Sequence, residues 1–158
     1  MKRLVALGLA ALLALTGCTT FRKGYLEGVK VREEVTAALE KANEIPYEMD
    51  GFLRYSWRTA SETKEDGKGD CADKSIYVKY LLKKEGIESE VVGGFSCLWI
   101  PWGLHAWVEY KENGKEYLIE STYGGIYRKK DVNFGNYVKI ITFPVDNEKY
   151  MGDAWRVR

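Results

Sequence analysis

The chain has 158 residues, with 24 lysines and arginines against 23 aspartates and glutamates, and its only histidine is His105. This length is enough for one compact domain with a substantial hydrophobic core. The near-neutral charge balance argues against nucleic acid as a partner. No internal repeat, second hydrophobic span or long low-complexity linker divides the chain.

The N-terminus has the pattern of a targeting signal. Met1-Lys2-Arg3 is basic and Leu4 to Leu15 is almost entirely apolar, yet this run is shorter than the roughly 20 residues of a membrane-spanning helix. It ends in Leu15-Thr16-Gly17-Cys18, which resembles a bacterial lipobox. The resemblance implies a cleaved signal over residues 1–17 and lipidation of Cys18. A plain secretory signal and an uncleaved anchor are the alternatives.

On the lipobox interpretation, the protein is anchored in a bacterial cell envelope and has the membrane as a partner through lipidated Cys18. Thr19 rather than Asp after the cysteine fits outer-membrane sorting, facing the periplasm, if the cell has an outer membrane. Removal of Lys2 and Arg3 with the signal leaves 22 basic against 23 acidic residues. Residues 18–23 are then a short tether, and residues 24–158 a single domain.

Helices are predicted first along the domain. Gly24 to Ala42 is typical of an amphipathic helix, with a buried stripe of Leu26, Val29, Ala38, Leu39 and Ala42. Ile45-Pro46 ends it, and Glu48 to Gly69 is expected to be irregular apart from a short helix over Ala60 to Lys64.

A second long helix is predicted from Cys71 to Lys84. Asp70 is a good N-cap, and Gly86 is a good stop after the basic last turn. The spacing predicts that one face is buried, formed by Ile76, Tyr77, Tyr80 and Leu81, and that the lysines lie outside, namely Lys74, Lys79 and Lys83.

Strands follow the helices. They are predicted over Ile87 to Val92, on both sides of a turn at Asn113-Gly114, over Tyr137 to Phe143, and as an edge strand in the tail Trp155 to Arg158. The order of helix, loop, helix and several antiparallel strands predicts an α+β fold, with N-terminal helices packed on an antiparallel β-sheet.

The turn at Asn113-Gly114 fixes the register of the hairpin. A type I′ turn needs positive φ at both central residues, which this dipeptide tolerates well. Two residues between the strands make Tyr110 face Tyr117 and Glu112 face Lys115. Because side chains alternate, the register decides which residues share a face.

His105 and Glu120 come together in this register. They lie on one face as diagonal neighbours, with backbones about 7–8 Å apart. Glu109 is on the same face but about 13 Å from His105 along the strand, and is expected to be a solvated or rim residue. Glu120 is therefore the carboxylate predicted to orient the imidazole.

Cys71 is the best candidate for a nucleophile beside this pair. It opens the predicted helix, where the helix dipole favours a thiolate and where backbone N–H groups could receive an oxyanion. An exported protein could instead pair Cys71 with Cys97 in a disulfide. Cys97 lies in an apolar run, where a buried free thiol is ordinary packing.

Together these residues resemble a known family. Gly69-Asp70-Cys71, the helix ending at Gly86, His105-Ala106-Trp107-Val108-Glu109 and Glu120-Ser121-Thr122 are similar to the transglutaminase-like superfamily of papain-like fold. The segment Trp57-Arg58-Thr59-Ala60-Ser61-Glu62-Thr63 most resembles the bacterial transglutaminase-like cysteine proteinases.

The resemblance implies roles for three residues: Cys71 as nucleophile, His105 as general base and acid, and Glu120 as orienter, acting through a thioester acyl-enzyme. One of the tryptophans or Tyr55 is expected to shape a substrate groove or to help the oxyanion site, and the resemblance puts Trp57 first. The family usually has Asp where this chain has Glu120.

Calcium is the one cofactor that the resemblance raises. In the cysteine proteinase group, acids near the nucleophile can bind it, but Ala72 replaces one of them here. Only Asp70 and Asp73 remain of such a set. A cap for Asp70 and a solvated helix position for Asp73 are the favoured roles, and no cofactor is expected.

The leading functional hypothesis is a lipid-anchored envelope cysteine hydrolase that acts on a peptide or protein amide. One alternative is a non-catalytic lipoprotein that holds a peptide or a glycan strand in the same groove. Another is a true transglutaminase, which passes the acyl group to an amine instead of water.

Overall fold

The computed structural model describes residues 29–49, 57–96, 103–132, 137–146 and 149–150. The predictions that concern the signal, Cys18, Tyr55, Cys97 and the tail from Trp155 lie outside these ranges. None of the helices within them combines the length and apolar character needed to cross a membrane.

Helix α1 spans Glu33–Asn43 and is shorter than predicted. Residues 29–32 are not helical, and Arg32 has a ψ of 145°, so the expected start at Gly24 is wrong for this stretch. The acidic pair Glu33 and Glu34 occupies the first turn, where the helix dipole favours negative charge. The apolar stripe extends beyond the helix, since Val29 packs against the core from the segment before it.

Helices α2 (Ala60–Asp66) and α3 (Cys71–Lys84) both begin at a capping box. In α2, the Thr59 hydroxyl accepts from the Glu62 N–H and the Glu62 carboxylate accepts from the Thr59 N–H. Helix α3 has the predicted bounds, and Gly86 follows it with a φ of 69° that glycine adopts without strain. Its caps are local signals, which is why the sequence located it.

Lys74 corrects the predicted exposure of α3. It is only 2% exposed, and its Nζ donates to the carbonyl oxygen of Ile45 at 3.0 Å. The chain that follows α1 covers this side of α3, and local periodicity carries no information about that contact. Burial lowers the pKa of the Lys74 amine.

Five antiparallel strands form the main sheet: β1 (Ser89–Ser96), β2 (Gly103–Glu112), β3 (Lys115–Glu120), β4 (Gly125–Arg128) and β5 (Tyr137–Phe143). Their order is β4-β3-β2-β1-β5. A short 3₁₀-helix (Lys129–Asp131) follows β4, and a separate pair joins β6 (Val145–Asp146) to β7 (Lys149–Tyr150). The α+β prediction is confirmed, and β5 has the predicted bounds.

The β2–β3 hairpin has the predicted register. Tyr110 pairs with Tyr117 and Glu112 pairs with Lys115. The turn residues Asn113 and Gly114 have φ angles of 50° and 71°, as a type I′ turn requires.

Two apolar clusters lie on the two faces of the sheet, because alternate residues of β2 and β3 point to opposite sides. The larger one joins the helices to strand residues that include Val91, Val108 and Ile119. The smaller one consists of five residues on the other face: Val92, Trp107, Leu118, Tyr127 and Tyr137. His105 and Glu120 share the face of this smaller cluster.

Candidate active site

Cys71 is the first residue of α3 and is a free, partly exposed thiol. Asp70 caps the helix with one carboxylate oxygen, which accepts from the N–H groups of Ala72 at 2.8 Å and Asp73 at 3.1 Å. One turn further on, the Ser75 hydroxyl donates to the Cys71 carbonyl oxygen at 2.7 Å. These bonds fix the backbone on both sides of the sulfur.

His105 lies between the thiol and a carboxylate. Its Nε2 is 2.7 Å from Oε2 of Glu120, and the Cys71 side chain hydrogen-bonds the same ring. With Nε2 engaged by Glu120, Nδ1 is the nitrogen that can face the sulfur. Burial by itself lowers the pKa of His105. The Glu120 carboxylate and the Cys71 side chain outweigh burial and raise this pKa from 6.5 to about 10.

Glu120 is held by three donors although it is only 1% exposed. Besides His105, the Tyr137 hydroxyl donates to Oε2 at 2.7 Å and the Thr122 N–H donates to Oε1 at 2.9 Å. Burial raises the pKa of the Glu120 carboxyl, but His105, Tyr137 and Thr122 lower it by more, so that it lies below the usual value. The carboxylate is therefore stabilised in its charged form.

Tyr137 is a site residue that the sequence did not reveal. It begins β5, and both β1 and β2 lie between that strand and β3, which carries Glu120. Local patterning located the strand but not its position in the sheet. A strand order inferred from covarying positions is the signal that could have found it.

Trp107 supports this arrangement from the smaller cluster. It is fully buried, and its ring meets that of Tyr137 edge-on at 5.2 Å between centroids. Its Nε1 donates to Glu109 at 3.1 Å, and Glu109 also pairs with Lys129 at 2.9 Å. The expectation that Glu109 is a solvated residue is wrong, because this residue is only 9% exposed.

Asp73 also departs from its expected solvated role. Its carboxylate is 1% exposed and accepts from the Arg58 backbone N–H and from Arg58 Nη1, each at 2.7 Å, and from the Asp70 N–H at 3.2 Å. A guanidinium thus occupies the position beside Asp73 that a cation would need.

The residues at the start of α3 do not fit a calcium ion. Calcium takes about six to eight oxygen ligands. Both carboxylate oxygens of Asp73 and Oδ1 of Asp70 are already bonded to N–H groups or to the Arg58 guanidinium. Across the described ranges, no group of three or more His, Cys, Asp or Glu side chains is arranged to hold a metal ion.

Trp57, the expected cleft residue, packs edge-on against Phe143 with centroids 4.4 Å apart and is partly buried against the larger cluster. Two other rings belong to the surroundings of Cys71 and His105 and were not predicted. The Tyr123 ring lies 6.1 Å from that of His105, and Tyr47 forms an isolated bridge with Gly69, two residues before Cys71.

Solved structures share this fold. LapG from Legionella pneumophila matches with a TM-score of 0.61 at 17% identity, over 76% of this chain and 69% of LapG. Its calcium-bound form gives a TM-score of 0.60 at 17% identity, over 70% of this chain and 63% of that one, so this chain spans less than two thirds of it. An EGTA-treated form of LapG also matches, with a TM-score of 0.53.

A protein from Cytophaga hutchinsonii, described as a candidate cysteine protease, matches with a TM-score of 0.52 at 18% identity, over 73% of this chain and 41% of that one. At these identities the likeness shows the fold. No curated protein sequence matches the chain.

The sequence itself gives the family. A profile of the transglutaminase-like superfamily matches residues 23–119, a range that includes Cys71 and His105 and ends one residue before Glu120. The helices and the antiparallel sheet agree with that assignment. Because the match covers more than half of the chain, this protein belongs to the transglutaminase-like superfamily.

Proposed function

We propose that this protein is a cysteine hydrolase that cleaves a peptide or isopeptide amide through a thioester acyl-enzyme. The observation that carries the proposal is the unbroken series of contacts from the Cys71 thiol through the His105 imidazole to the buried Glu120 carboxylate. This is the arrangement of nucleophile, base and orienter that covalent catalysis needs. The similar fold of the Cytophaga protein, described as a candidate cysteine protease, supports the same reaction class.

Proton transfers through His105 connect the two halves of the reaction. At neutral pH the proton of the pair is held by the imidazole, because the pKa of His105 is raised to about 10, and the Cys71 sulfur attacks the amide carbon to form a C–S bond. The imidazolium then gives its proton to the amide nitrogen, and the C–N bond breaks, releasing the amine and leaving a thioester. Water attacks the thioester carbon as the now neutral His105 accepts its proton, and the C–S bond breaks, which releases the acid and restores the sulfur anion beside the imidazolium.

Glu120 acts by holding the ring. With Oε2 at 2.7 Å from Nε2, the carboxylate stabilises the imidazolium and keeps Nδ1 directed to the sulfur. Tyr137 and Thr122 hold both carboxylate oxygens, so Glu takes the place of the usual Asp without freedom to rotate away.

The capping of α3 narrows the choice of oxyanion donor. The N–H groups of Ala72 and Asp73 are bonded to the Asp70 side chain, and that of Lys74 to the Asp70 carbonyl. Cys71 is the first residue of the helix, so its N–H has no intrahelical acceptor. We assign the Cys71 N–H as the donor from this helix to the oxygen of the tetrahedral intermediate.

A thiol-directed probe tests the proposal. Native protein is treated with iodoacetamide, and separately with a peptidyl vinyl sulfone, and the adduct is located by peptide mass mapping. We expect modification at Cys71, none in Cys71→Ser, an unchanged rate in the control Cys97→Ala, and a slower rate in His105→Ala. Equal labelling of Cys71 and Cys97, or a Cys71 rate independent of His105, contradicts the proposal.

Water and an amine compete for the same thioester, so transfer is an alternative outcome of this chemistry. A labelled primary amine supplied during turnover of a peptide substrate distinguishes hydrolysis from acyl transfer. Hydrolysis gives the free acid, whereas a true transglutaminase gives the labelled amide as its main product. A protein that binds peptide or glycan equally well as Cys71→Ala and forms no adduct is the non-catalytic alternative.

Calcium has no part in the proposed reaction, since Arg58 and backbone N–H groups already hold the carboxylates of Asp70 and Asp73. The calcium-bound and EGTA-treated structures of LapG make this directly testable. We expect the rate of probe labelling and the melting temperature to be the same in about 1 mM calcium and in excess EGTA. A calcium concentration of about 1 mM is chosen because it would fill even a site at the weak end of known calcium affinities. A calcium-dependent rise in either quantity contradicts this assignment.

We also propose that Cys18 carries a lipid that places the hydrolase on a bacterial membrane. The lipobox-like sequence before Cys18 supports this. Metabolic labelling with an alkyne-tagged fatty acid should modify the wild-type protein but not Cys18→Ala, and the labelled protein should fractionate with membranes. Equal labelling of both proteins rules out Cys18 as the lipidation site.

A further inference from the structure

We propose that Tyr47 and Tyr123 form the two walls of the cleft over Cys71, and that they hold an extended, uncharged peptide segment across the thiol. This inference rests on the proposed function, because it concerns how the amide reaches the nucleophile. The two rings come from distant parts of the chain, and each is 45% exposed although it lies near the Cys71 and His105 pair.

The backbone that carries Tyr47 is fixed to the start of α3. The Gly69 N–H donates to the Pro46 carbonyl at 3.2 Å, and the Glu48 N–H donates to the Gly69 carbonyl at 3.1 Å. These two bonds enclose Tyr47 and make it a short parallel bridge to Gly69, two residues before Cys71. The backbone of Tyr47 is therefore held in place while nearly half of the residue's surface is open to solvent.

Lys74 adds a third attachment. Its buried Nζ donates to the Ile45 carbonyl at 3.0 Å, which ties the segment before Tyr47 to the helix that begins with Cys71. A buried lysine is costly unless it is bonded. We infer that this one positions the Tyr47 segment against the nucleophile, since it bonds no group of the catalytic series.

Tyr123 is the second wall. It follows Glu120 by three residues, and its ring lies 6.1 Å from the His105 ring at an interplanar angle of 32°. Gly124, next in the chain, has a φ of 74° and donates its N–H to the Glu120 carbonyl at 3.1 Å, so a tight turn sets the direction of Tyr123. Both phenols are close enough to Cys71 to interact with it electrostatically.

The chemistry of the two walls indicates what they bind. Burial, followed by the charge of Glu120, raises the pKa of Tyr123 to about 12, and burial also raises the pKa of Tyr47 above its usual value. Both phenols are therefore neutral at pH 7, and their ring faces suit small or aliphatic side chains. The charged pair at the rim, Lys68 and Glu48, is mutually neutralised at 2.7 Å.

The test compares a large and a small electrophile on the same thiol. Second-order rate constants are measured for iodoacetamide and for an uncharged peptidyl vinyl sulfone, with the wild type, Tyr47→Ala, Tyr123→Ala and the control Tyr80→Ala on the distal part of α3. We expect each cleft variant to slow the peptidyl probe about tenfold, the size of a lost aromatic contact, and to leave the iodoacetamide rate within about twofold. Tyr80→Ala should change neither rate.

The outcomes separate the two proposals. If the wild-type thiol reacts with neither probe, the proposed function fails and this inference fails with it. If the wild type reacts with the peptidyl probe but Tyr47→Ala and Tyr123→Ala match its rate, the walls do not hold the peptide and only the inference is overturned. An equal loss with both probes also overturns it, because the rings then shape the thiol and not the bound peptide.

Discussion

The bond between Tyr137 and Glu120 gives a direct test of how the Glu120 carboxylate is held. Tyr137→Phe removes one hydroxyl that donates to Oε2 at 2.7 Å, and it keeps the ring that packs against Trp107. The acceptor is charged and 1% exposed, so the lost bond is worth about 1.5–3 kcal/mol. The His105 and Thr122 bonds remain, so we expect the fold to persist.

Urea unfolding at pH 7 measures this effect. The free energy of unfolding should fall by about 1.5–3 kcal/mol with an unchanged m-value, since the surface exposed on unfolding is the same. Labelling of Cys71 by the peptidyl probe should slow by up to about tenfold, which corresponds to roughly 1.4 kcal/mol lost in holding the imidazole.

Tyr117→Phe is the matched control for this prediction. Tyr117 is also buried, at 4% exposure, but it belongs to the larger cluster and stacks on Tyr110 at 5.0 Å, away from Glu120. It should change the labelling rate little. If Tyr137→Phe is as stable as the wild type, or if both variants lower the labelling rate equally, the reasoning that Tyr137 supports the carboxylate is refuted.

Three further outcomes are expected. Arg58→Ala should lower the free energy of unfolding by about 3–5 kcal/mol, because it leaves the buried Asp73 carboxylate without a cation, and adding Asp73→Asn should recover part of the loss in a urea titration. The pKa of His105 rises from 6.5 to about 10 on folding, so the free energy that its protonation adds to the stability of the fold is fully present below pH 6.5 and is lost as the pH rises through 10. The free energy of unfolding, measured over a series of pH values, should decline in this way in the wild type and less in His105→Gln. Gly94→Ala should lower the free energy of unfolding by about 1–3 kcal/mol, because its Cβ would overlap the Val138 carbonyl oxygen. An unchanged melting temperature in thermal unfolding contradicts this close approach of β1 and β5.

Local signals in the sequence determined the elements that carry the site. The Asp70 cap and the Gly86 stop bound α3, and hence place Cys71 at its start, because capping depends on residues within one turn. The Asn113-Gly114 turn fixed the hairpin register, and the register in turn selected Glu120 as the partner of His105. Each of these inferences depends only on residues close together in the sequence, or on residues of two strands that a single turn pairs.

Only the tertiary structure decided what surrounds those elements. Tyr137 bonds Glu120 from a strand three places away in the sheet, Arg58 fills the position beside Asp73, and Lys74 is buried under the segment after α1. Each contact depends on strand order or on how a distant segment packs, and periodicity along the chain carries no information about either. The sequence therefore determined which groups could react, and the packing of distant segments decided how firmly each of them is held.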